Sequence, residues 1–148
     1  MKKNGFFIIM FLSCVSCISI NEDGENVGTI HISSVLQVQT HKKSIFSDYA
    51  STLKKAIEGT EDDLKSFCLI EFDGEGAYDH GGVLICLIDS IGEKKFLEAV
   101  KLMNQEEKEL LKFYLRAGME YGQKTFSYDE INNYHKYYPL IAEQLGEF

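Results

Sequence analysis

From residue 46 to residue 145 the apolar side chains recur at intervals of three and four, a spacing that restricts the chain to helices. Phe46, Tyr49, Ala50, Leu53 and Ile57 form the first stripe, and Gly59 is placed to close it in the left-handed conformation. Thr60 then reads as an N-cap, followed by Glu61, Asp62 and Asp63, where negative charge suits the exposed amides of a first turn. Leu64, Phe67 and Cys68 carry this second helix toward Asp73 and Gly74. Residues 83–88 are six apolar positions in a row, a pattern shared by buried strands and buried helices. Ala77, Gly81, Leu84, Ile88 and Ile91 keep helical spacing across that run, so a third helix is expected over 77–91, apolar nearly all round between Val83 and Ile88 and central. A fourth, over 93–103, turns Phe96, Leu97, Val100 and Met103 inward.

Two capping boxes start the remaining helices. In each, a polar side chain and an acid three positions later satisfy one another's free amides: Asn104 with Glu107, and Ser127 with Glu130. The fifth helix buries Leu110, Leu111, Tyr114 and Gly118 or Met119, and Gly122 closes it. The sixth follows Ile131, Tyr134, Tyr138, Ile141 and Leu145 through Pro139, which removes a backbone hydrogen bond and predicts a kink or break near Tyr138. The expected class is all-α, with about six helices as three antiparallel hairpins, arranged as an irregular bundle or a short repeat-like stack. Ahead of them, Ile30, His31 and Ile32, then Val35 to Gln39, partly alternate and predict one short strand or an extended arm lying on the domain.

The amino terminus has a different logic. Lys2 and Lys3 precede an unbroken apolar run over residues 6–12, then Ser13, Cys14, Val15, Ser16 and Cys17. Seven apolar residues cannot cross a hydrocarbon core that needs roughly 20, so the layout is that of an export signal. With Val15 and Ser16 before Cys17, it resembles the signal peptides of bacterial lipoproteins. The resemblance implies cleavage after residue 16 and diacylglyceryl attachment to Cys17, with Cys14 as the alternative, since Leu12 and Ser13 precede it. It also implies anchorage by acyl chains and, because Ile18 rather than aspartate follows the cysteine, delivery to the outer membrane. The domains are then a signal over 1–16, a tether and arm over 17–43, and a helical domain over 44–148.

Charge narrows the partners. The full chain carries a formal −8, and loss of Lys2 and Lys3 with the signal makes it two units more negative. Arg116 is the sole arginine, and no basic cluster with interleaved aromatics is present to neutralise a phosphate backbone, so nucleic acid is a poor partner. A basic protein would be steered toward such a surface, and membrane contact should come through the lipid. Cys68 and Cys86 are the remaining thiols in an oxidising compartment, candidates for one disulfide or for two buried apolar side chains.

Chemistry-bearing residues gather around one joint. Asp73, Glu75, Asp79 and His80 lie among glycines between the second and third helices, a set able to bind a divalent metal or to exchange protons. The same residues also suit a tight turn, with Asp79 as a local cap and His80 hydrogen-bonded across the joint. Acids at 73 and 75 fill only the first two positions of a calcium-binding loop, and no elbow, phosphate cradle or paired Cys motif occurs. No residue is assigned a catalytic role, and no metal or cofactor is expected. Tyr134 and Tyr138 fall on the buried stripe, while Tyr137 and His135 point away from it and form a candidate contact surface. The expectation is a lipid-anchored envelope protein acting by protein–protein interaction, such as an inhibitor or immunity-type binder of a basic partner. An envelope enzyme or metal binder at the 73–80 joint, or a structural subunit of an outer-membrane assembly, are the alternatives.

Overall fold

A computed structural model describes residues 24–43 and 48–146; the signal expected over 1–16, Cys14, Cys17 and Phe46 lie outside the described residues. Among the described residues the fold is all-α apart from one small hairpin. β1 (Glu25–Val27) and β2 (Ile30–Ile32) pair antiparallel with Val27 opposite Ile30, and Gly28 turns the chain at φ 61°. α1 (Ser34–Lys43), α2 (Tyr49–Glu58), α3 (Glu61–Cys68), α4 (Glu75–Ile91), α5 (Glu93–Lys101) and α6 (Gln105–Tyr121) follow. α7 (Tyr128–Asn132), a 3₁₀ turn (Tyr134–Lys136) and α8 (Pro139–Leu145) end the described chain.

The caps set the boundaries. Asp48 accepts the amides of Ala50 and Ser51 at 3.1 and 3.2 Å to start α2. The box before α3 joins the Asp63 amide to Thr60 Oγ1 at 3.3 Å and the Thr60 amide to Asp63 Oδ2 at 3.0 Å. Asn104 with Glu107 and Ser127 with Glu130 repeat the arrangement before α6 and α7. Gly59 departs from the expected left-handed stop. Its φ is −88°, because Thr60 leads directly into α3, and a Cβ there would fall 2.5 Å from the Lys55 carbonyl and from the Asp63 carboxylate.

Two further expectations are corrected, and the break expected near Tyr138 is present. Val35 to Gln39 belong to a helix, α1, rather than to an extended arm: Leu36 and Thr40 are buried one turn apart, and Thr40 Oγ1 donates to the Leu36 carbonyl at 2.7 Å. The second helix stops at Cys68 rather than near Asp73. Residues 69–74 are instead held by Tyr114, whose hydroxyl donates to the Ile70 carbonyl and accepts the Phe72 amide, both at 3.1 Å. The sixth helix is divided into α7, the 3₁₀ turn and α8, with Pro139 as the first residue of α8, where its missing N–H costs nothing. Glu93 reaches across from α5 to supply the cap that α8 lacks, its Oε1 accepting the amides of Leu140 and Ile141 at 2.6 and 3.0 Å.

α4 is the central element, as the apolar run over residues 83–88 predicts, and its largest interface is with α6. The two helices approach through glycine: a Cβ on Gly81 would lie 2.2 Å from the Tyr114 carbonyl, and one on Gly118 would lie 2.2 Å from the Gly81 carbonyl. Because that interface is not between members of a sequence-adjacent pair, the chain takes the irregular bundle of the two arrangements open to it. The hairpin and α1 pack on α4, so Ile30, Ile32 and Leu36 share the core with Leu53, Phe67, Leu84 and Leu111. No described helix is long and apolar enough to cross a membrane.

Candidate functional site

The 73–80 joint is the first turn and a half of α4, entered through Gly74 at φ 54°. Consecutive residues on a helix point about 100° apart. Asp79 and His80, adjacent in sequence, therefore face different surroundings. Asp73 and Glu75 are exposed at the entry, where the Asp73 carbonyl accepts Gln39 Nε2 at 3.4 Å. Asp79 turns toward the hairpin and is partly buried. His80 is fully buried. The four residues do not converge, and among the described residues no group of three or more His, Cys, Asp and Glu is placed to hold a metal ion.

His80 occupies a compartment made of aromatic rings, with centroids of Tyr114, Phe72, Phe67 and Tyr49 at 5.0, 5.1, 5.3 and 5.9 Å. Its Nδ1 lies 2.7 Å from the Tyr49 hydroxyl. Burial raises the Tyr49 pKa well above the ordinary phenol value, so the phenol keeps its proton and donates it to Nδ1. The ring proton of the neutral imidazole then sits on Nε2, which makes no hydrogen bond of acceptable geometry. Burial lowers the His80 pKa to about 3, while the nearby carbonyls of Cys68 and Phe67 act the other way and lose. A neutral imidazole sealed from solvent suits packing and polarity in the core rather than proton exchange with a diffusing molecule.

Asp79 opens a different site. Its Oδ2 accepts the Ser33 hydroxyl, which fixes the carboxylate beside the first turn of α1. A cleft of about 200 Å³ lies here between the hairpin, α4 and the end of α6, lined by Asp79, Ser33, His31, Tyr121 and Gln123 together with Gly82 and Gly122. Gln123 Nε2 donates to the His31 carbonyl, tying the loop after α6 to β2, and His31 Nδ1 lies 3.1 Å from Asn26 Oδ1. Tyr121 is 66% exposed, and its ring packs on that of Tyr78 at 5.1 Å.

The tyrosine-rich segment divides by burial. Tyr134 and Tyr138 are buried, and Tyr138 donates to Asp89 Oδ1 at 3.0 Å while Lys124 pairs with Asp89 Oδ2 at 2.9 Å. Tyr137 is 44% exposed; its ring meets Phe126 edge-on at 6.0 Å and its hydroxyl donates to Glu130 Oε1 at 2.5 Å. That bond, with those from Ser127, holds the Glu130 carboxyl down at about 2. His135 is exposed beside a shallow depression shared with Asn132, Pro139 and Glu143. Cys68 and Cys86 are free thiols, so the bridge considered for them is not formed: Cys68 is buried in the core, and Cys86 points its Sγ to within 3.9 Å of Gln123 Oε1.

Sequence spacing missed the cleft because its members are scattered. Ser33 and Asp79 are separated by 46 positions and His31 and Gln123 by 92, so no local pattern joins them. The one available signal was Tyr78 next to Asp79, an aromatic ring beside an acid at the opening of a central helix. Comparison of the chain with protein-family models, with curated proteins and with solved structures gives no match.

Proposed function

We propose that the chain is an exported protein held at the outer membrane by acyl chains on Cys17, where its helical domain acts by binding a basic protein partner. The observation that carries the binding role is the exposure of tyrosine on an acidic chain. Tyr78, Tyr121, Tyr128 and Tyr137 are 42%, 66%, 77% and 44% exposed, against a formal charge of −8 for the whole sequence. Tyrosine rings offer large contact area with few rotors to immobilise, and they recur where binding energy concentrates. Surrounding negative charge accelerates encounter with a cationic partner and disfavours anionic ones. The basic start, short apolar run and terminal small residues before Cys17 support the anchoring.

The test uses the native full-length product. Mass spectrometry should find an amino-terminal Cys17 carrying a diacylglyceryl group; an intact Met1 without lipid removes the anchoring. Capture of partners from envelope extracts at low and raised salt tests the rest. Loss of a basic partner as ionic strength rises supports charge-steered binding, and a partner set that is acidic or insensitive to salt refutes it.

A further inference from the structure

We infer that the cleft between the β-hairpin and the α4–α6 seam receives a single organic cation, an ammonium or guanidinium group on a flexible stem. The inference rests on the reading above and deepens it, since lysine and arginine side chains are how a basic protein would present such a group.

Four observations converge on this ligand chemistry. The first is charge: Asp79 is the acid in the cleft wall, no lysine or arginine lines it, and Asp79 has no ion-pair partner among the described residues. Some acids elsewhere are paired, as Asp63 is with Lys55, Glu107 with Lys65 and Asp89 with Lys124; Asp79 is the one that faces the cleft. The second is orientation. The Ser33 hydroxyl occupies Oδ2, so the carboxylate is held in place while Oδ1 remains to accept a charged donor. The third is the aromatic wall: Tyr121, 66% exposed and supported by Tyr78 at 5.1 Å, offers a ring face to a cation beside the carboxylate. Carboxylate and ring together distinguish an organic cation from a bare metal ion, which would need further oxygen donors. The fourth is size. A volume of about 200 Å³ accommodates an alkylammonium or guanidinium head, but falls below the roughly 300–1,000 Å³ of pockets that enclose drug-sized ligands.

The experiment is a titration of the full-length ¹⁵N-labelled chain, followed by NMR at the amides of Gly82, Gly122 and Gln123. The probes are lysine and arginine blocked at both backbone ends, equally blocked norleucine as the uncharged control, and cadaverine. Blocked lysine or arginine should give saturable shifts at these amides that weaken with salt, and norleucine should give none. Asp79→Asn, which keeps an acceptor for Ser33, should weaken binding about tenfold or more, and Tyr121→Leu about threefold. Tighter binding of blocked lysine or arginine than of cadaverine assigns the cleft to a protein side chain; the reverse assigns it to a free amine. Equal binding of norleucine, indifference to Asp79→Asn, or no saturable shift at these amides overturns the proposal. A basic partner still captured in a salt-dependent way by the Asp79→Asn chain would refute the cleft alone and leave the wider reading intact.

Discussion

The hydroxyl of Tyr49 and Nδ1 of His80 meet at 2.7 Å inside a compartment of aromatic rings, which makes this pair the polar centre of an otherwise apolar core. Among the described residues Thr40 is the other buried polar side chain, and it satisfies itself on the helix turn before it. The Tyr49–His80 bond instead joins α2 to α4, and it determines which proton the imidazole carries. Removing the donor with Tyr49→Phe should cost about 1–3 kcal/mol, measured by urea unfolding at pH 7, because Nδ1 would be left buried without a partner. A loss no larger than that of an exposed tyrosine would mean that water takes the phenol's place.

The same pair sets a pH dependence. His80 is held near a pKa of about 3 in the folded chain, against a model value of 6.5, so the folded state resists the proton that the unfolded state accepts. The stability is therefore fully present above about pH 6.5 and is lost as pH falls from there toward 3, at up to about 1.4 kcal/mol per pH unit. Unfolding free energies at pH 7 and 5 should show the slope, and His80→Gln should flatten it. Asp63 and Glu130, held down at about 2, titrate in a lower window: their contribution stands above about pH 4 and disappears as pH falls toward 2. A slope between pH 7 and 5 that survives His80→Gln would assign it elsewhere.

Gly118→Ala should be the most disruptive of the conservative changes. The new methyl would meet the Gly81 carbonyl at 2.2 Å and the Gly82 amide nitrogen at 2.8 Å, atoms of a helix backbone that cannot swing aside. A loss of about 1–3 kcal/mol or more in denaturant unfolding is expected. Gly146→Ala serves as the comparison for strain without crowding, since its Cβ would meet nothing within 4 Å although its φ is 75°.

Tyr114→Phe should loosen the connection between α3 and α4 while leaving the core filled. It deletes both 3.1 Å bonds to the 69–74 segment, at a cost of about 1–3 kcal/mol. Hydrogen exchange at Phe72 should accelerate well beyond the change at α6 amides; uniform acceleration would point to global destabilisation alone.

Glu93→Ala should free α8 before anything else. Its Oε1 accepts two amides at the start of a helix whose first residue is proline and whose own N-cap side chain makes no capping bond. Loss of a cap of this kind costs about 1–2 kcal/mol. Faster exchange confined to residues 140–145 is the expected result, and unchanged exchange there would show that packing alone holds α8.

Helix class, and the starts of α3, α6 and α7, were legible because they depend on neighbours in sequence: a polar cap, an acid three positions on, and an apolar stripe. The break at Pro139 was legible for the same reason. Val35 to Gln39 were misread because two alternating pairs resemble a strand, whereas burial of Leu36 and Thr40 against the core decides for a helix. β1 went unseen because Glu25, Asn26 and Val27 have little alternation of their own and owe their conformation to pairing with β2. The end of α3 depends on Tyr114, 42 and 44 positions from the atoms it binds, which no window on the sequence connects. The spacing at 73–80 placed these residues together along the chain but did not give their directions, and direction separated Asp79 from His80.

Contact of backbone with backbone where α4 meets α6 has a consequence for recognition. Two helices separated by long side chains can slide as those chains change rotamer, but at Gly81 and Gly118 there is nothing between them to rearrange. Asp79 and Gly82 stand on one side of that junction and Tyr121 and Gly122 on the other, so the distance across the cleft is set before any guest arrives. A visitor would find the opening already at its working width, and little of the energy gained on entry would be diverted into reshaping the host.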